Sequence, residues 1–171
     1  MPFDPVLFYA MWLGKISQMA AEEDMGSRTG LSSAPKNVGG TSLGKKTNDW
    51  SSSLKALEKG LPFSTLEHFQ RESGLATPAI AKILRIPQRT LSRRKAARRL
   101  SGLESERLVR LAGLYQKTLD LFEGDATAAR NWLSAPNRAL GRLSPLTLVE
   151  SEIGARAVED LIGRLEHGVY S

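Results

Sequence analysis

Residues 77–99, TPAIAKILRIPQRTLSRRKAARR, place the strongest constraint on how this chain folds. Apolar residues at helical spacing are interrupted by Pro87, which predicts two short helices joined by a tight turn, a helix-turn-helix. Thr77 is expected to cap the first helix and Pro78 to occupy its first position. Arg85 falls where the turn becomes left-handed, at a cost of about 1 kcal/mol for a residue other than glycine. The apolar wedge between the helices comprises Ile80, Ala81, Leu84, Ile86 and Leu91.

The second helix of this unit is strongly basic. Residues 85–99 contain seven basic side chains and no acidic one. In helix-turn-helix proteins the start of the second helix meets base edges, and each neutralised phosphate releases a counterion. The pattern predicts DNA binding, and basic helices that contact only protein are the alternative. The predicted DNA contacts are Thr77, Arg85, Gln88, Arg89, Ser92, Arg93, Arg94 and Arg98.

Charge is unevenly distributed along the chain. The net charge is +6, and residues 61–100 carry nine basic and two acidic side chains. Residues 101–171 carry eight basic and ten acidic side chains. This asymmetry indicates one face for nucleic acid and a separate face for another partner. The absence of cysteine excludes disulfides and thiolate metal sites, and two histidines far apart in sequence argue against a histidine-rich metal site.

Neither a membrane protein nor an enzyme is indicated. The apolar segment 6–13 is too short to span a bilayer and lacks the features of a secretory signal, so a cytoplasmic location is expected. No glycine-rich phosphate loop or nucleophile with an adjacent base is identified, and Glu150 and Glu152 are expected to be solvated. No catalytic residue, metal or cofactor is predicted.

The N-terminal third differs in composition from the remainder. A helix is expected from about Pro5 to Ala21, and the Gly-, Ser- and Lys-rich residues 25–50 are expected to form a flexible linker. The sequence allows a start at Met1 or at Met25. A short helix is expected over residues 52–61, ending at Gly60.

Two capping boxes are predicted around the helix-turn-helix. Ser64 and Glu67 match one, for a helix that ends at Gly74, and Ser101 and Glu104 match the second. The helix after Ser101 is expected to extend to Gly124. Its apolar stripe comprises Leu108, Leu111, Ala112, Tyr115, Leu119 and Phe122.

Short helices are predicted for the C-terminal part. Asp125 is expected to cap one that ends before Pro136, with Trp132 and Leu133 in the core. Pro145 is expected to begin a short helix. Because no segment alternates as a strand does, the fold is predicted to be all-α. In the loop from Asn137 to Pro145, Leu140 and Leu143 are expected to point into the core and plug it. Gly154 is expected to begin the last helix and Gly168 to end it. The inward face of that helix comprises Ala155, Val158, Leu161, Ile162 and Leu165.

From about residue 60 onward the chain resembles the Xre/MbcA/ParS antitoxins. The marks are ESERL at 104–108, WLSAPN at 132–137, LGRLSP at 140–145 and RLEHGVY at 164–170. Two positions depart from the family pattern, since Arg142 stands where a second glycine is frequent and Ser144 where threonine is usual. The resemblance implies a helix-turn-helix domain over residues 60–102 and a helical toxin-binding domain over 103–171. Residues 1–59 lie outside the resemblance, and their composition predicts an N-terminal extension and linker that is partly disordered.

The resemblance also implies the function of a type II antitoxin. The expected partners are a RES-domain toxin, which consumes NAD, operator DNA of its own operon, and a second copy of the chain in a homodimer. The C-terminal end is expected to cover the toxin's NAD site, because a terminal carboxylate can pair with a phosphate-binding basic group; a frayed end is the alternative. The residues implied to bind toxin are Asn137, Leu140, Arg164, His167, Gly168, Val169, Tyr170 and Ser171.

Other functions compete with this interpretation. A helix-turn-helix transcription regulator without a toxin partner is the first. An inhibitor whose basic helices contact only its protein partner is the second, and an enzyme is the weakest.

Overall fold

The computed structural model describes Lys55 and residues 57–168, and the regular secondary structure of this part of the chain is helical. No strand occurs among these residues, which contain only two isolated antiparallel bridges, Pro62 with Arg99 and Asn137 with Leu143. The all-α prediction is therefore confirmed, whereas those made for residues 1–54 and for the tail after Gly168 lie outside the described residues. The helices are α1 (Phe63–Ser73), α2 (Thr77–Ile83), α3 (Gln88–Ala96), α4 (Gly102–Leu121), α5 (Ala126–Ser134), a 3₁₀ turn (Arg138–Leu140), α6 (Pro145–Leu148) and α7 (Glu152–Glu166).

The helix-turn-helix forms as predicted, from α2 and α3. Ile80 and Leu84 are fully buried, and Arg85 takes the left-handed conformation with φ of 55°. The predicted N-terminal cap of α2 is wrong by one residue. Ala76 is the cap of α2, no side chain bonds there, and Thr77 is already the first helical residue. Pro78 therefore occupies the second position, where its missing amide hydrogen is equally harmless.

The predicted capping box of α1 is wrong. The helix begins at Phe63 after Pro62 and has no side-chain cap. The cause is tertiary, because the Phe63 N–H donates to the Arg98 carbonyl at 3.0 Å and thereby joins the start of α1 to the chain that leaves α3. Glu67 pairs with Lys95 of α3 at 3.0 Å instead of reaching back to its own helix. Gly74 ends α1 with φ of 63°, as predicted.

Helix α4 is the central element and packs against α1, α5 and α7. Its capping box is confirmed, since Ser101 and Glu104 each accept the other's backbone N–H. The helix ends at Leu121, before the predicted stop at Gly124. The predicted stripe is buried from Leu108 to Tyr115, while Leu119 and Phe122 near its end are half-buried. The predicted boundary between the helix-turn-helix domain and the toxin-binding domain, between residues 102 and 103, falls in the first turn of α4.

The C-terminal helices follow the prediction with two exceptions. Asp125 caps α5 and Pro145 begins α6. Leu143 does not plug the loop, because 48 % of it is exposed, whereas Leu140 is buried. Helix α7 begins at Glu152, so Gly154 lies inside the helix rather than at its start.

The last helix faces the core as its spacing indicates. Ala155, Val158, Leu161 and Ile162 are buried, and Leu165 is half-buried. Leu133 of α5 is fully buried, while Trp132 is half-buried with its ring centroid 6.3 Å from that of Phe122. Across the part of the chain that the structure describes, no helix combines the length and apolar character needed to cross a membrane.

Candidate DNA-binding and partner-binding surfaces

The basic helix α3 is exposed along its length. None of its nine residues is buried, and Gln88, Arg89, Ser92 and Arg93 are exposed. Between residues 57 and 168, no ion pair involves Arg89 or Arg93. These two guanidinium groups are four residues apart, so they lie on one side of the helix. The start of α3 therefore presents cations that no carboxylate of the described residues neutralises.

A second set of cations on α3 holds the helix in place. Arg94 Nε lies 2.9 Å and 3.0 Å from the two carboxylate oxygens of Glu104, whose side chain is only 9 % exposed. The same carboxylate accepts the Ser101 N–H at 2.7 Å, and thus caps α4 and binds α3 at once. Lys95 pairs with Glu67 of α1. These contacts fix α3 against α4 and α1 from its C-terminal half.

The turn between α2 and α3 contacts the C-terminal part of the chain. Arg85 Nη2 donates to the Glu150 carbonyl at 3.1 Å, and Lys82 Nζ lies 2.8 Å from Glu150 Oε1. Arg107 Nη1 donates to the Leu84 carbonyl at 3.0 Å, and this bond supplies a partner for one of the free carbonyl groups at the C-terminal end of α2. Glu150, expected to be solvated, is instead an ion-pair partner of the helix-turn-helix.

Two further predicted contacts lie at the margins of this surface. Arg98 is exposed and left-handed, with φ of 53°, where the chain leaves α3. Thr77 is half-buried and lines a cavity of about 200 Å³ together with Leu91 and Ser92. Arg98 therefore lies just beyond the C-terminal end of α3, whereas Thr77 begins α2 and faces the middle of α3 across the cavity.

The loop between α5 and α6 is closed by hydrogen bonds. Asn137 Oδ1 accepts the Ala139 N–H at 2.9 Å, and the Asn137 N–H donates to the Leu143 carbonyl at 3.0 Å. Leu140 is only 9 % exposed. Asn137 and Leu140, predicted from the resemblance as contacts of a partner, therefore hold the loop itself together.

The end of α7 offers an accessible surface. Arg164, His167 and Gly168 are exposed, and the first two line an open depression with Glu159 and Asp160. Gly168 is left-handed, with φ of 66°, after the helix ends. Val169, Tyr170 and Ser171 lie outside the described residues. The exposed end of α7 thus leads directly into the predicted tail.

Comparison with known proteins identifies the family. Residues 53–113 match the model of the antitoxin Xre-like helix-turn-helix domain, and residues 118–168 match that of the antitoxin Xre/MbcA/ParS C-terminal toxin-binding domain. Antitoxin Xre of Yersinia enterocolitica is 38% identical over 119 residues, which cover 69% of this chain and 80% of that protein. The chain belongs to the Xre antitoxin family.

A second relative and a solved structure agree with this assignment. Antitoxin Xre of Photorhabdus laumondii is 35% identical over 116 residues, which cover 67% of this antitoxin and 78% of that relative. The M. tuberculosis MbcT-MbcA toxin-antitoxin complex contains a chain that superimposes with a TM-score of 0.51 at 24% identity. That alignment covers 64% of this chain and 96% of the other, and it shows a shared fold.

The structure of this antitoxin brings together part of the predicted site. Gln88, Arg89, Ser92 and Arg93 share the exposed start of α3, whereas Arg94 is bound by Glu104. Sequence reasoning missed Glu150, Lys82 and Glu104 as ion-pair partners, because their contacts join residues distant in sequence. For these three residues, only the capping role of Glu104 could be predicted, from the local pattern S-x-x-E at residues 101–104.

Among the titratable groups of the described residues, one has a clearly shifted pKa, and it lies in the core. Burial raises the pKa of the Tyr115 hydroxyl and the charge of Glu72 adds to this effect, while the nearby charge of Arg130 opposes it. Tyr115 packs edge-on against Phe69, at 5.8 Å between ring centroids. The described residues also contain no group of acidic or histidine side chains suited to hold a metal ion.

Proposed function

We propose that this antitoxin neutralises a RES-domain, NAD-consuming toxin by covering its active site with the C-terminal segment, and that it binds operator DNA as a homodimer to repress its own operon. Membership of the Xre antitoxin family is the observation that carries the proposal. The matched C-terminal model is described as toxin-binding, and the curated relatives are named antitoxins.

The exposed start of α3 supports the DNA-binding half of the proposal. Arg89 and Arg93 are exposed and have no acidic partner among residues 57–168, so they remain available to phosphates or to guanine edges. A helix-turn-helix dimer places two such helices on half-sites about one DNA turn apart. The predicted homodimer fits this requirement.

Operator binding is tested by Arg89→Ala and Arg93→Ala, with Arg156→Ala as control. All three remove one exposed arginine, but Arg156 lies on α7 and pairs with Glu152. If the lost arginine contacts a base, operator binding should weaken by about 1–3 kcal/mol and sequence preference should relax. If it contacts a phosphate, the slope of log K against log salt concentration (the salt slope) should become smaller by about 1. Fluorescence anisotropy at two salt concentrations measures both. Equal binding by all four proteins would remove α3 from DNA recognition.

The C-terminal segment supports the toxin-binding half. Helix α7 ends at Glu166, and the exposed His167 and Gly168 lead into Val169, Tyr170 and Ser171. A tyrosine supplies a large apolar ring with a polar hydroxyl, and this combination suits contact with a cleft that has both apolar and polar walls.

Tail function is tested by deleting residues 169–171 and by a control that keeps the length of the segment and its tyrosine, Ser171→Ala. The deletion should release NAD consumption by the toxin that shares the antitoxin's operon, whereas Ser171→Ala should inhibit as the native chain does. Operator binding should be unchanged in both. Full inhibition by the truncated protein would overturn the covering mechanism. Failure of the native chain to bind any toxin would favour a transcription regulator instead.

A further inference from the structure

A cavity of about 200 Å³ lies between α1 and α3, and the proposed function gives it no role. We call it the α1–α3 cavity. Its wall on the α1 side consists of four side chains at positions i, i+3, i+4 and i+7, which share one face of that helix. They are Phe63, Leu66, Glu67 and Gln70. The opposite wall consists of Leu91, Ser92 and Lys95 of α3, together with Thr77 at the start of α2.

Helix α3 has few apolar contacts on this side. None of its nine residues is buried, and Leu91, its one large apolar side chain, is half-buried. The ion pair of Lys95 with Glu67, at 3.0 Å, joins the two helices at the cavity. Because side chains that border a cavity lack the dispersion contacts of a close-packed interior, a molecule held there would add contacts that α3 does not otherwise make.

The volume and the apolar wall limit the size of that molecule. Phe63 and Leu66 are buried, and with Leu91 they form an apolar wall. An apolar cavity of about 150 Å³ admits benzene. The α1–α3 cavity therefore suits a single six-membered ring with one small substituent, whereas sites for drug-sized ligands begin at about 300 Å³.

The polar wall limits the chemistry of the substituent. Gln70, Thr77 and Ser92 supply an amide and two hydroxyls, and within residues 57–168 no hydrogen bond uses these three side chains. The charges of Glu67 and Lys95 neutralise each other. An ionic ligand would lose its hydration without gaining an unpaired counter-charge, so a neutral ligand is favoured.

We propose that the α1–α3 cavity binds a small neutral aromatic molecule with one hydrogen-bonding group, and that this ligand stabilises α3 and strengthens operator binding. The ring packs between Phe63 and Leu91, and the polar group bonds to Gln70. A ligand that binds only the ordered helix favours that state, and DNA then meets an α3 with less freedom to lose. The operator effect rests on the proposed function, but ligand binding itself does not.

Benzamide, toluene and benzoate test the chemistry of the site, because they share a ring and differ in the group attached to it. Each is titrated into the ¹⁵N-labelled full chain and followed by amide chemical shifts. Benzamide should give saturable shifts centred on residues 63–73 and 88–96. Toluene should bind about three- to tenfold more weakly, since it lacks the hydrogen bond, and benzoate more weakly still. Equal binding of all three, or no saturable benzamide shifts in these two helices, would overturn the proposal.

Gln70→Met tests the polar contact, because it keeps the length of the side chain and removes the amide. Benzamide affinity should fall about three- to tenfold, while toluene affinity stays the same. A merely structural role of Gln70 would weaken both probes alike, and would contradict the assignment. Gln116→Met is the matched control, since Gln116 is also a half-buried helical glutamine but donates to Asp120 on α4. It should bind benzamide as the native chain does.

Leu91→Phe tests the link to DNA, because it places a ring of the chain itself at the cavity. Saturating benzamide should strengthen operator binding by the native chain about threefold and have no effect on Leu91→Phe, which should not bind the probe. Unchanged or weaker operator binding by the benzamide-saturated native chain would overturn the effect on α3. If the native chain binds no operator with or without benzamide, the DNA-binding half of the proposed function fails, and the titrations alone decide the ligand site.

Discussion

Two glycines of α7 show how the same residue serves different purposes within one helix. A methyl group on Gly154 would overlap the backbone carbonyl of Leu148, so the glycine permits the close approach of α6 to α7. A methyl group on Gly163 would meet nothing within 4 Å. The sequence alone suggested a helix start at Gly154, because glycine is a common helix boundary. Its real role, close packing between backbones, leaves no local pattern.

Alanine substitution should therefore have opposite effects at these two positions. Gly154→Ala should lower the free energy of unfolding by about 1–3 kcal/mol, because the overlap with a backbone atom forces α6 to shift. Gly163→Ala should raise it by roughly 0.5–1 kcal/mol, the usual gain of alanine over glycine inside a helix. Urea denaturation measures both values. A similar gain from the two substitutions would show that α6 moves freely away from α7.

At the scale of the element, α3 is held by charges rather than by a buried face. Glu104 binds Arg94, and Glu67 binds Lys95, while Leu91 is half-buried. The carboxylate of Glu104 is therefore shared between the cap of α4 and the position of α3.

Glu104→Ala should loosen α3 as well as destabilise α4. The expected loss is about 1–3 kcal/mol of unfolding free energy, from the missing cap and the unpaired Arg94. Amide hydrogen exchange should accelerate over residues 88–96. Asp125→Ala is the control, because it removes the cap of α5 and no contact with α3. Equal exchange of α3 in both variants would mean that the Arg94 ion pair does not position the helix.

The helix boundaries show which local patterns suffice and which do not. Ser101 and Glu104 form the capping box that their spacing predicts, and Glu104 does so while its carboxylate also pairs with Arg94. Ser64 and Glu67 have the same spacing but form none, since Phe63 is drawn into the helix by its bond to Arg98 and Glu67 pairs with Lys95. Spacing therefore predicts a capping box only where the serine is also the residue at which the helix starts, and for α1 a tertiary hydrogen bond moves that start to Phe63.

On the scale of the whole molecule, the fold follows from apolar spacing but the contacts across the chain do not. The helical pattern predicted an all-α fold, and the structure confirms it. The exposure of Arg89 and Arg93 also follows from their spacing on α3. The contacts of Glu150 with Lys82 and Arg85 join the C-terminal part to the helix-turn-helix over more than 60 positions, and only the folded chain reveals them.

Glu150 should oppose DNA binding, because a phosphate and its carboxylate would compete for Lys82. Lys82 is 68% exposed and Glu150 is 30% exposed, so solvent screens the pair, and its own contribution to stability is about 0–1 kcal/mol. Glu150→Gln should strengthen operator binding severalfold at low salt and steepen the salt slope by about 0.9 for one added phosphate contact. The gain should shrink at high salt as screening increases.

Glu152→Gln is the control for this effect. It removes the same charge two residues away, but its carboxylate pairs with Arg156 on α7 rather than with the helix-turn-helix. A general change in net charge would strengthen operator binding equally in the two variants, whereas release of Lys82 predicts the larger gain and steeper slope for Glu150→Gln alone. Equal slopes in anisotropy titrations at three salt concentrations would exclude competition at Lys82. A steeper slope for Glu150→Gln would place α2, as well as α3, against the phosphate backbone, and would connect the C-terminal part of the antitoxin to the strength of repression.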